Sequence, residues 1–353
     1  MGEGQAMVAA ARALQPVVRA HAEQAQALRH APEPVVRAMA DAGLYRLAAP
    51  ACFGGAEADP ISTIEAIEAI SEADGSIGWV LMIGIETVGI GGSLMEPDMA
   101  AGLFAEHPDL VMCGALNPQG RARPVEGGWL VSGRWPFASG CHHATFFWGQ
   151  CVVEGSTPTR LIEVLVPRAD YEILDTWHDG PAGTGSHDVQ VQDLFVPAEM
   201  VTEVAGRSPR HDGPLYRLPP FSRLAYNKVG VATGIARAAL DSFVELAEHK
   251  VPRLSSRPLR ERSRAQRNYA EAEAALRGAG VRVRGRARRV GDGVRRRPGR
   301  PPAAGAGPPR LLARLPGSDP GGGPSTRPRA PAPTWRGRPS AGPDATWPWW
   351  PSS

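Results

Sequence analysis

The chain has 353 residues, enough for two or three domains with a substantial core. Its net charge of +3 hides a division, because residues 281–353 carry +12 and the 280 residues before them carry −9. The four cysteines form no C-x-x-C pair, and the amino terminus has neither a cationic start nor an apolar run. These features argue against a disulfide framework and a secretory signal peptide, and they predict a cytoplasmic protein.

Residues 1–107 are predicted to form an N-terminal helical domain. In PEPVVRAMADAGL, apolar residues recur on one helix face, and Gly43 is a suitable residue to end the helix. In DPISTIEAIEAISEAD, Asp59 is a suitable N-cap and Pro60 is suited to the first position of a helix. Isoleucines follow at every third residue. The most apolar stretch, residues 76–94, contains a glutamate and five glycines, so it predicts a buried helix rather than a membrane span.

The periodicity changes near residue 111. Short segments rich in β-branched and aromatic residues follow, separated by turn residues: ATFFWGQCVV, RLIEVLVP, YEILDTW and HDVQVQDLFVP. They predict a central β-barrel domain over residues 108–205. Helical patterns return near residue 221 and predict a partial C-terminal helical domain over residues 221–277. The predicted fold class is therefore α+β, in the order helical domain, sheet domain, helical domain.

Residues 278–353 are predicted to be a disordered tail rich in Arg, Pro and Gly. From residue 281 onward the chain uses only ten residue types and contains fifteen prolines and twelve glycines. Such a composition cannot bury enough apolar surface to offset the entropy lost on ordering. Residues with A/T-rich codons are missing, so we interpret the tail as GC-rich DNA read in a shifted frame. Its charge attracts phosphate, but the absence of a recognisable binding motif argues against specific nucleic-acid binding.

The segment WPFASGCHHATFFWG, residues 135–149, concentrates a serine, a cysteine, two histidines and five aromatic rings. Neighbouring side chains on an extended strand point to opposite faces, so His142 and His143 cannot both bind one metal. No further Cys/His cluster completes a tetrahedral set, and no metal site is predicted. A nucleophilic pair of Cys141 with a histidine is disfavoured, because adjacency in sequence does not set the required geometry.

A platform for a planar cofactor fits this segment best. Trp135, Phe137 and Ser139 are predicted to share one strand face, which presents two rings and a hydroxyl. The alternative is that the rings are simply part of the barrel core.

Two side chains outside this segment are further candidates. Asn117, in CGALNP, could hydrogen-bond the polar side of a bound ring, with an ordinary Asn-Pro turn as the alternative. Glu86 lies within the apolar helix, where a buried carboxylate must be paired or protonated. The pattern favours a helix-end glutamate that reaches solvent over an acid in a substrate pocket.

Five segments, in this order, resemble the acyl-CoA dehydrogenase superfamily of flavoproteins: AGLYRLAAPACFGG, SEADGSIGWVLMIG, GALNPQGRARPVEGGWLVSGRWPFASG, GPAGTGSHDVQVQDLFVPAEMV and KVGVATGIARAALDSFVELA. The motif GRW-x-F-x-SG resembles the branch of two-component monooxygenases, which hydroxylate aromatic or polycyclic substrates with flavin reduced by a separate reductase. The resemblance implies FAD or FMN as cofactor, a small-molecule substrate and a flavin reductase as partner. It also implies a homo-oligomer, a tetramer, where the C-terminal domain is intact.

In that branch the serine of the SG pair lies beside the N5 edge of the flavin. Ser139 matches this position and is the candidate catalytic residue. The GTGS segment could contribute to the flavin environment, with a tight turn of no function as the alternative. The predicted cofactor-binding residues are Asn117, Trp135, Phe137, Ser139, Gly140, Thr184 and Ser186.

The chain departs from the family after residue 277. Dehydrogenases place a catalytic glutamate in the C-terminal helical domain, and monooxygenases place a histidine near the C terminus. An Arg-Asp motif there helps to bind flavin across the tetramer. None of these is found, so weak flavin binding and little turnover are expected of this chain. Two alternatives stay open: an acyl-CoA dehydrogenase acting on CH–CH groups, and a non-enzymatic remnant whose tail attracts nucleic acid.

Overall fold

A computed structural model describes residues 2–178, 180–204, 210–211, 213–253 and 255–295, without the side chains of residue 220 and of residues 287–295. The predicted order of a helical part, a sheet and a second helical part is confirmed. The predicted disordered tail lies outside the described residues from residue 296 onward.

The first helical part precedes the sheet. Its helices are α1 Glu3–Ala13, α2 Gln15–Ala20, α3 Ala22–Leu28, α4 Glu33–Asp41, α5 Pro60–Ala73, α6 Gly75–Leu94 and α7 Pro97–Glu106. Asp59 caps α5 as predicted, because its Oδ1 accepts hydrogen bonds from Ile61 N at 2.9 Å and Ser62 N at 3.2 Å. The isoleucine stripe of α5 is buried at Ile64, Ile67 and Ile70.

Helix α6 runs through the interior of the protein. Asp74 caps its start by accepting a hydrogen bond from Ile77 N at 2.9 Å. By length and composition this described helix could cross a membrane, yet 89% of its most apolar window is buried inside the protein. Its position agrees with the prediction of a buried helix.

The central strands form one mixed sheet. They are β1 Met112–Val125, β2 Gly128–Trp135, β3 Phe146–Val153, β4 Leu161–Pro167, β5 Glu172–Leu174, β6 Asp188–Pro197 and β7 Val201–Thr202. Their order is β5-β6-β2-β1-β3-β4-β7; β1 and β3 are parallel and the other pairs are antiparallel. Among the described strands the sheet is open and not the predicted barrel, because the end strands β5 and β7 do not pair with each other.

The second helical part consists of α8 Pro220–His249 and α9 Ser263–Arg295. Small residues let α8 approach α5 closely: a Cβ added at Gly230 would lie 2.7 Å from Ile64 O. Helix α9 continues past residue 277, so the predicted boundary falls inside it. The first proline after its start is Pro298, and arginine and alanine favour helix. Arg284 also pairs with Glu65 and Glu68 on α5, at 3.2 and 2.9 Å.

Candidate functional site

Two loops meet where β2 ends and β6 begins, because these strands are antiparallel and Trp135 pairs with Val189. Gly140 N donates a hydrogen bond to Thr184 O at 2.9 Å and so joins the two loops. Gly140 adopts a left-handed conformation with φ of 83°, which favours glycine. Four of the predicted site residues therefore lie together: Ser139, Gly140, Thr184 and Ser186.

A chain of hydroxyl groups runs through the junction of these loops. Trp79 Nε1 on α6 donates to Ser139 Oγ at 3.1 Å, and Ser139 Oγ lies 2.7 Å from Ser186 Oγ. Ser186 Oγ lies 2.7 Å from Thr184 Oγ1, which donates to Pro181 O at 2.9 Å. We call this series the hydroxyl chain; its three hydroxyl-bearing residues are buried. Sequence reasoning missed Trp79, because nothing in its apolar surroundings separates it from a core residue.

Both ends of the hydroxyl chain have a fixed polarity. An indole N–H can only donate, a backbone carbonyl can only accept, and each hydroxyl has one proton. The Thr184 proton is therefore directed at the carbonyl of Pro181, the Ser186 proton at Thr184, and the Ser139 proton at Ser186. Ser139 has no proton left to donate, and its remaining lone pair can accept a hydrogen bond.

The two aromatic residues of the predicted platform lie in different environments. Strand β2 ends at Trp135, and Phe137 adopts a left-handed conformation with φ of 62°, so the predicted shared strand face is wrong. Trp135 is fully buried and its Nε1 donates to Gln150 O at 2.7 Å. For Trp135, the alternative stated above, a ring in the core of the sheet domain, is therefore the correct one. Phe137 is 67% exposed, beside the ring of Trp177.

Asn117 offers an unused acceptor. It lies on β1, in the interval where the register with β3 shifts between Ala115 and Gly120. Its Oδ1 is buried and has no hydrogen-bond partner in the described part of the chain. Burying an amide oxygen without a hydrogen-bond donor lowers the stability of the fold. A bound group that donates a hydrogen bond would remove this cost.

The two histidines of the motif follow Ser139 in the same loop and belong to a cluster of histidines. His142 stacks on His30 with ring centroids 4.4 Å apart and meets His187 edge-on at 5.0 Å. Burial lowers the pKa of His142 to about 4 and that of His143 to about 3. His143 Nδ1 is buried, and no described residue forms a hydrogen bond with it. Among the described residues, no group of three His, Cys, Asp or Glu side chains could hold a metal ion.

Cys141 is not placed for nucleophilic catalysis. Its Sγ donates to Gly185 O at 3.4 Å, and burial raises its pKa to about 12. A thiol with so high a pKa stays protonated at neutral pH, and the thiolate is the reactive form. The sulfur helps to fasten the two loops together.

Glu86 is buried in the middle of α6, so the expectation that it reaches solvent is wrong. Its oxygens lie 2.7 and 2.6 Å from Lys228 Nζ on α8, and the Lys228 side chain is 41% exposed. Burial raises the pKa of Glu86 to about 7, although Lys228 opposes the shift. A carboxyl with this pKa can accept and release a proton near neutral pH. The partner on α8 could not be found from the sequence, because 142 residues separate the two.

Replacing Glu86 with glutamine is expected to change how stability depends on pH. The folded pKa of Glu86 is about 7, above its unfolded value, so wild-type stability falls as pH rises from about 4.5 to 7. The Glu86→Gln variant lacks this loss. Its free energy of unfolding should therefore rise by about 3 kcal/mol relative to that of wild type across that range. Urea unfolding of both proteins at pH 5 and pH 8 measures the difference. A constant difference between the two pH values would contradict the raised pKa.

Comparisons with known proteins identify the family of the chain. The model for the acyl-CoA dehydrogenase N-terminal domain matches residues 3–93, and that for the acyl-CoA dehydrogenase C-terminal domain matches residues 227–300. The chain is 37% identical to indole-3-acetate monooxygenase of Pseudomonas putida, over 71% of this chain and 64% of that protein. It is 32% identical to the oxygenase subunit of the flavin-dependent monooxygenase HsaA of Rhodococcus jostii, over 66% of this chain and 63% of that protein.

A solved structure shares the fold. The 3-HSA hydroxylase of Rhodococcus sp. RHA1 matches with a TM-score of 0.73 at 29% identity, covering 82% of this chain and 76% of that one. Helices, a mixed sheet and further helices, in that order, define the class of the fold. The chain belongs to the acyl-CoA dehydrogenase family, and the curated relatives named above are monooxygenases. It spans less than two thirds of the length of the two curated relatives.

Proposed function

We propose that this chain is the oxygenase component of a two-component monooxygenase, which uses reduced FMN or FAD to hydroxylate an aromatic or polycyclic small molecule. A flavin reductase is the proposed partner that supplies the reduced cofactor. Reduced flavin, when bound, supplies the electrons that activate dioxygen. The residues of this chain then have to bind that cofactor, orient it and discriminate between its redox states.

The polarity of the hydroxyl chain carries this proposal. Reduced flavin bears a hydrogen on N5, whereas oxidised flavin presents a lone pair there. In the proposed site Ser139 would lie beside N5, and its free lone pair would accept a hydrogen bond from the reduced form only. A dehydrogenase has to bind oxidised flavin before it takes a hydride, so this polarity favours the monooxygenase.

The other predicted residues fit a flavin as well. The orphaned Asn117 Oδ1 is an acceptor for the N–H groups of the polar ring. The exposed ring of Phe137 is available to a planar partner. In the proposed site Gly140, Thr184 and Ser186 hold Ser139 in place. Trp135 acts from the core, by fixing the end of β2.

Replacing Thr184 with valine is expected to weaken the preference for reduced flavin. Without the Thr184 acceptor, the Ser186 proton can turn toward Ser139, which then becomes able to donate. The ratio of the dissociation constants for oxidised and reduced FMN should fall about two- to tenfold, the effect of one hydrogen bond. Anaerobic titration with dithionite-reduced FMN, beside titration with oxidised FMN, measures this ratio.

Thr233→Val is the matched control, since Thr233 Oγ1 donates only within α8, to the carbonyls of Val229 and Gly230. It should leave the ratio unchanged. Tighter binding of oxidised than of reduced FMN by the wild type would contradict the proposed function. Acyl-CoA-dependent bleaching of bound flavin would favour the dehydrogenase, whereas oxygen consumption with reduced flavin and a phenol or indole supports the monooxygenase.

A further inference from the structure

A buried arginine faces α6 from the start of α8. Arg223 is 3% exposed, and its Nη2 donates to Ser93 Oγ at 3.3 Å. Its guanidinium carbon lies 5.3 Å from the centre of the Tyr216 ring. Its Nε and Nη1 are buried and have no hydrogen-bond partner among the residues that the structure describes. The donors on these two nitrogens are therefore unused.

No carboxylate of the described residues pairs with Arg223. Ser93 is neutral and donates its own proton to Ile90 O at 2.8 Å. Burial lowers the pKa of Arg223, and the ionisable groups that act on it are Tyr216 and Tyr226. A buried cation without an anion is strongly unfavourable, so a bound anion would stabilise Arg223.

The position of Arg223 relates it to the proposed flavin site. Trp79, Glu86 and Ser93 are spaced seven residues apart on α6, so they lie on nearly one face at intervals of about 10 Å. Trp79 contacts Ser139, Glu86 pairs with Lys228, and Ser93 accepts from Arg223. One face of α6 thus runs from the hydroxyl chain, past a carboxyl that can exchange protons, to an unpaired guanidinium.

We propose that Arg223 binds the carboxylate of an aromatic acid whose ring lies along this face of α6, near Glu86. The inference rests on the proposed function, because it names the class of substrate. A guanidinium matches a carboxylate in geometry and charge. Arg223 has already lost its water on folding, so binding an anion adds no further desolvation of the cation.

Arg223→Met tests this proposal by binding alone, without turnover. Calorimetric titration with indole-3-acetate and with its neutral isostere indole-3-acetamide compares a carboxylate with an uncharged group. Wild type should bind the acid about tenfold or more tightly than the amide. The variant should lose this preference and keep its affinity for the amide. Arg37→Met, at an arginine that is 70% exposed on α4, should behave as wild type.

The stability of the unliganded variant separates binding from a structural role. Because methionine removes an unpaired buried charge, Arg223→Met should melt at a higher temperature than wild type. A lower melting temperature together with an unchanged preference for the acid would make Arg223 a structural residue and overturn the proposal. Equal affinity of wild type for acid and amide would overturn it as well.

The flavin phosphate is the other anion to be tested. If Arg223→Met weakens binding of FMN but not of riboflavin, the arginine binds the cofactor and the proposal is overturned. Failure of the proposed function is distinguishable, because it appears as a missing preference for reduced flavin in the wild type. The comparison of acid with amide is made without flavin and does not depend on that result.

Discussion

Replacing Trp135 with alanine is expected to lower the free energy of unfolding by about 3–5 kcal/mol. The ring is fully buried and packs against the ring of Phe147, and its Nε1–H donates to Gln150 O. Alanine would leave a cavity and an unsatisfied carbonyl in the interior of the sheet domain. Denaturant unfolding followed by circular dichroism measures the loss.

Phe137→Ala is the matched comparison from the same motif. Because Phe137 is 67% exposed, its truncation should change stability by no more than about 0.5 kcal/mol. If the exposed ring contacts flavin, the affinity for reduced FMN should instead fall by up to about tenfold. Equal losses of stability in the two variants would contradict their assignment to different environments.

The histidine cluster is expected to make the fold sensitive to acid. Burial, and to a lesser extent His30 and His142, lowers the pKa of His143 to about 3, below the unfolded value of about 6.5. Between these values the unfolded chain binds a proton that the folded chain does not, so stability falls as pH falls. His143 alone should contribute a loss of a few kcal/mol between pH 6.5 and pH 4.

His143→Phe removes this titration and keeps an aromatic ring of similar size. The difference in unfolding free energy between variant and wild type should shift in favour of the variant as pH is lowered from about 7 to 4. Comparing the two proteins cancels the opposite dependence of Glu86. Urea unfolding at several pH values measures the difference, and parallel curves for the two proteins would show that the pKa of His143 is the same in the folded and unfolded chains.

Local sequence patterns predicted much of the fold. The cap at Asp59, the isoleucine stripe of α5 and the buried character of α6 follow from short-range rules of capping and periodicity. The four residues Ser139, Gly140, Thr184 and Ser186 also lie together, as the resemblance implied.

Features set by distant contacts or single dihedral angles could not be predicted. A strand pattern cannot reveal that Phe137 takes a positive φ, which separates its ring from that of Trp135. Partners of buried polar groups, such as Lys228 for Glu86, are brought close only by helix packing. Composition also placed the end of the helical part too early, because arginine-rich sequence without proline is compatible with helix as far as Arg295.

The most direct test of the proposed flavin site is hydrogen–deuterium exchange with and without reduced FMN, under anaerobic conditions. Binding at the junction of the two loops is predicted to slow exchange in residues 136–144 and 181–187, and to leave α1 unchanged. The effect should be weaker with oxidised FMN, because Ser139 has no proton to donate to its N5. Unchanged exchange in both loops at saturating reduced FMN, or protection confined to other segments, would contradict the proposed site.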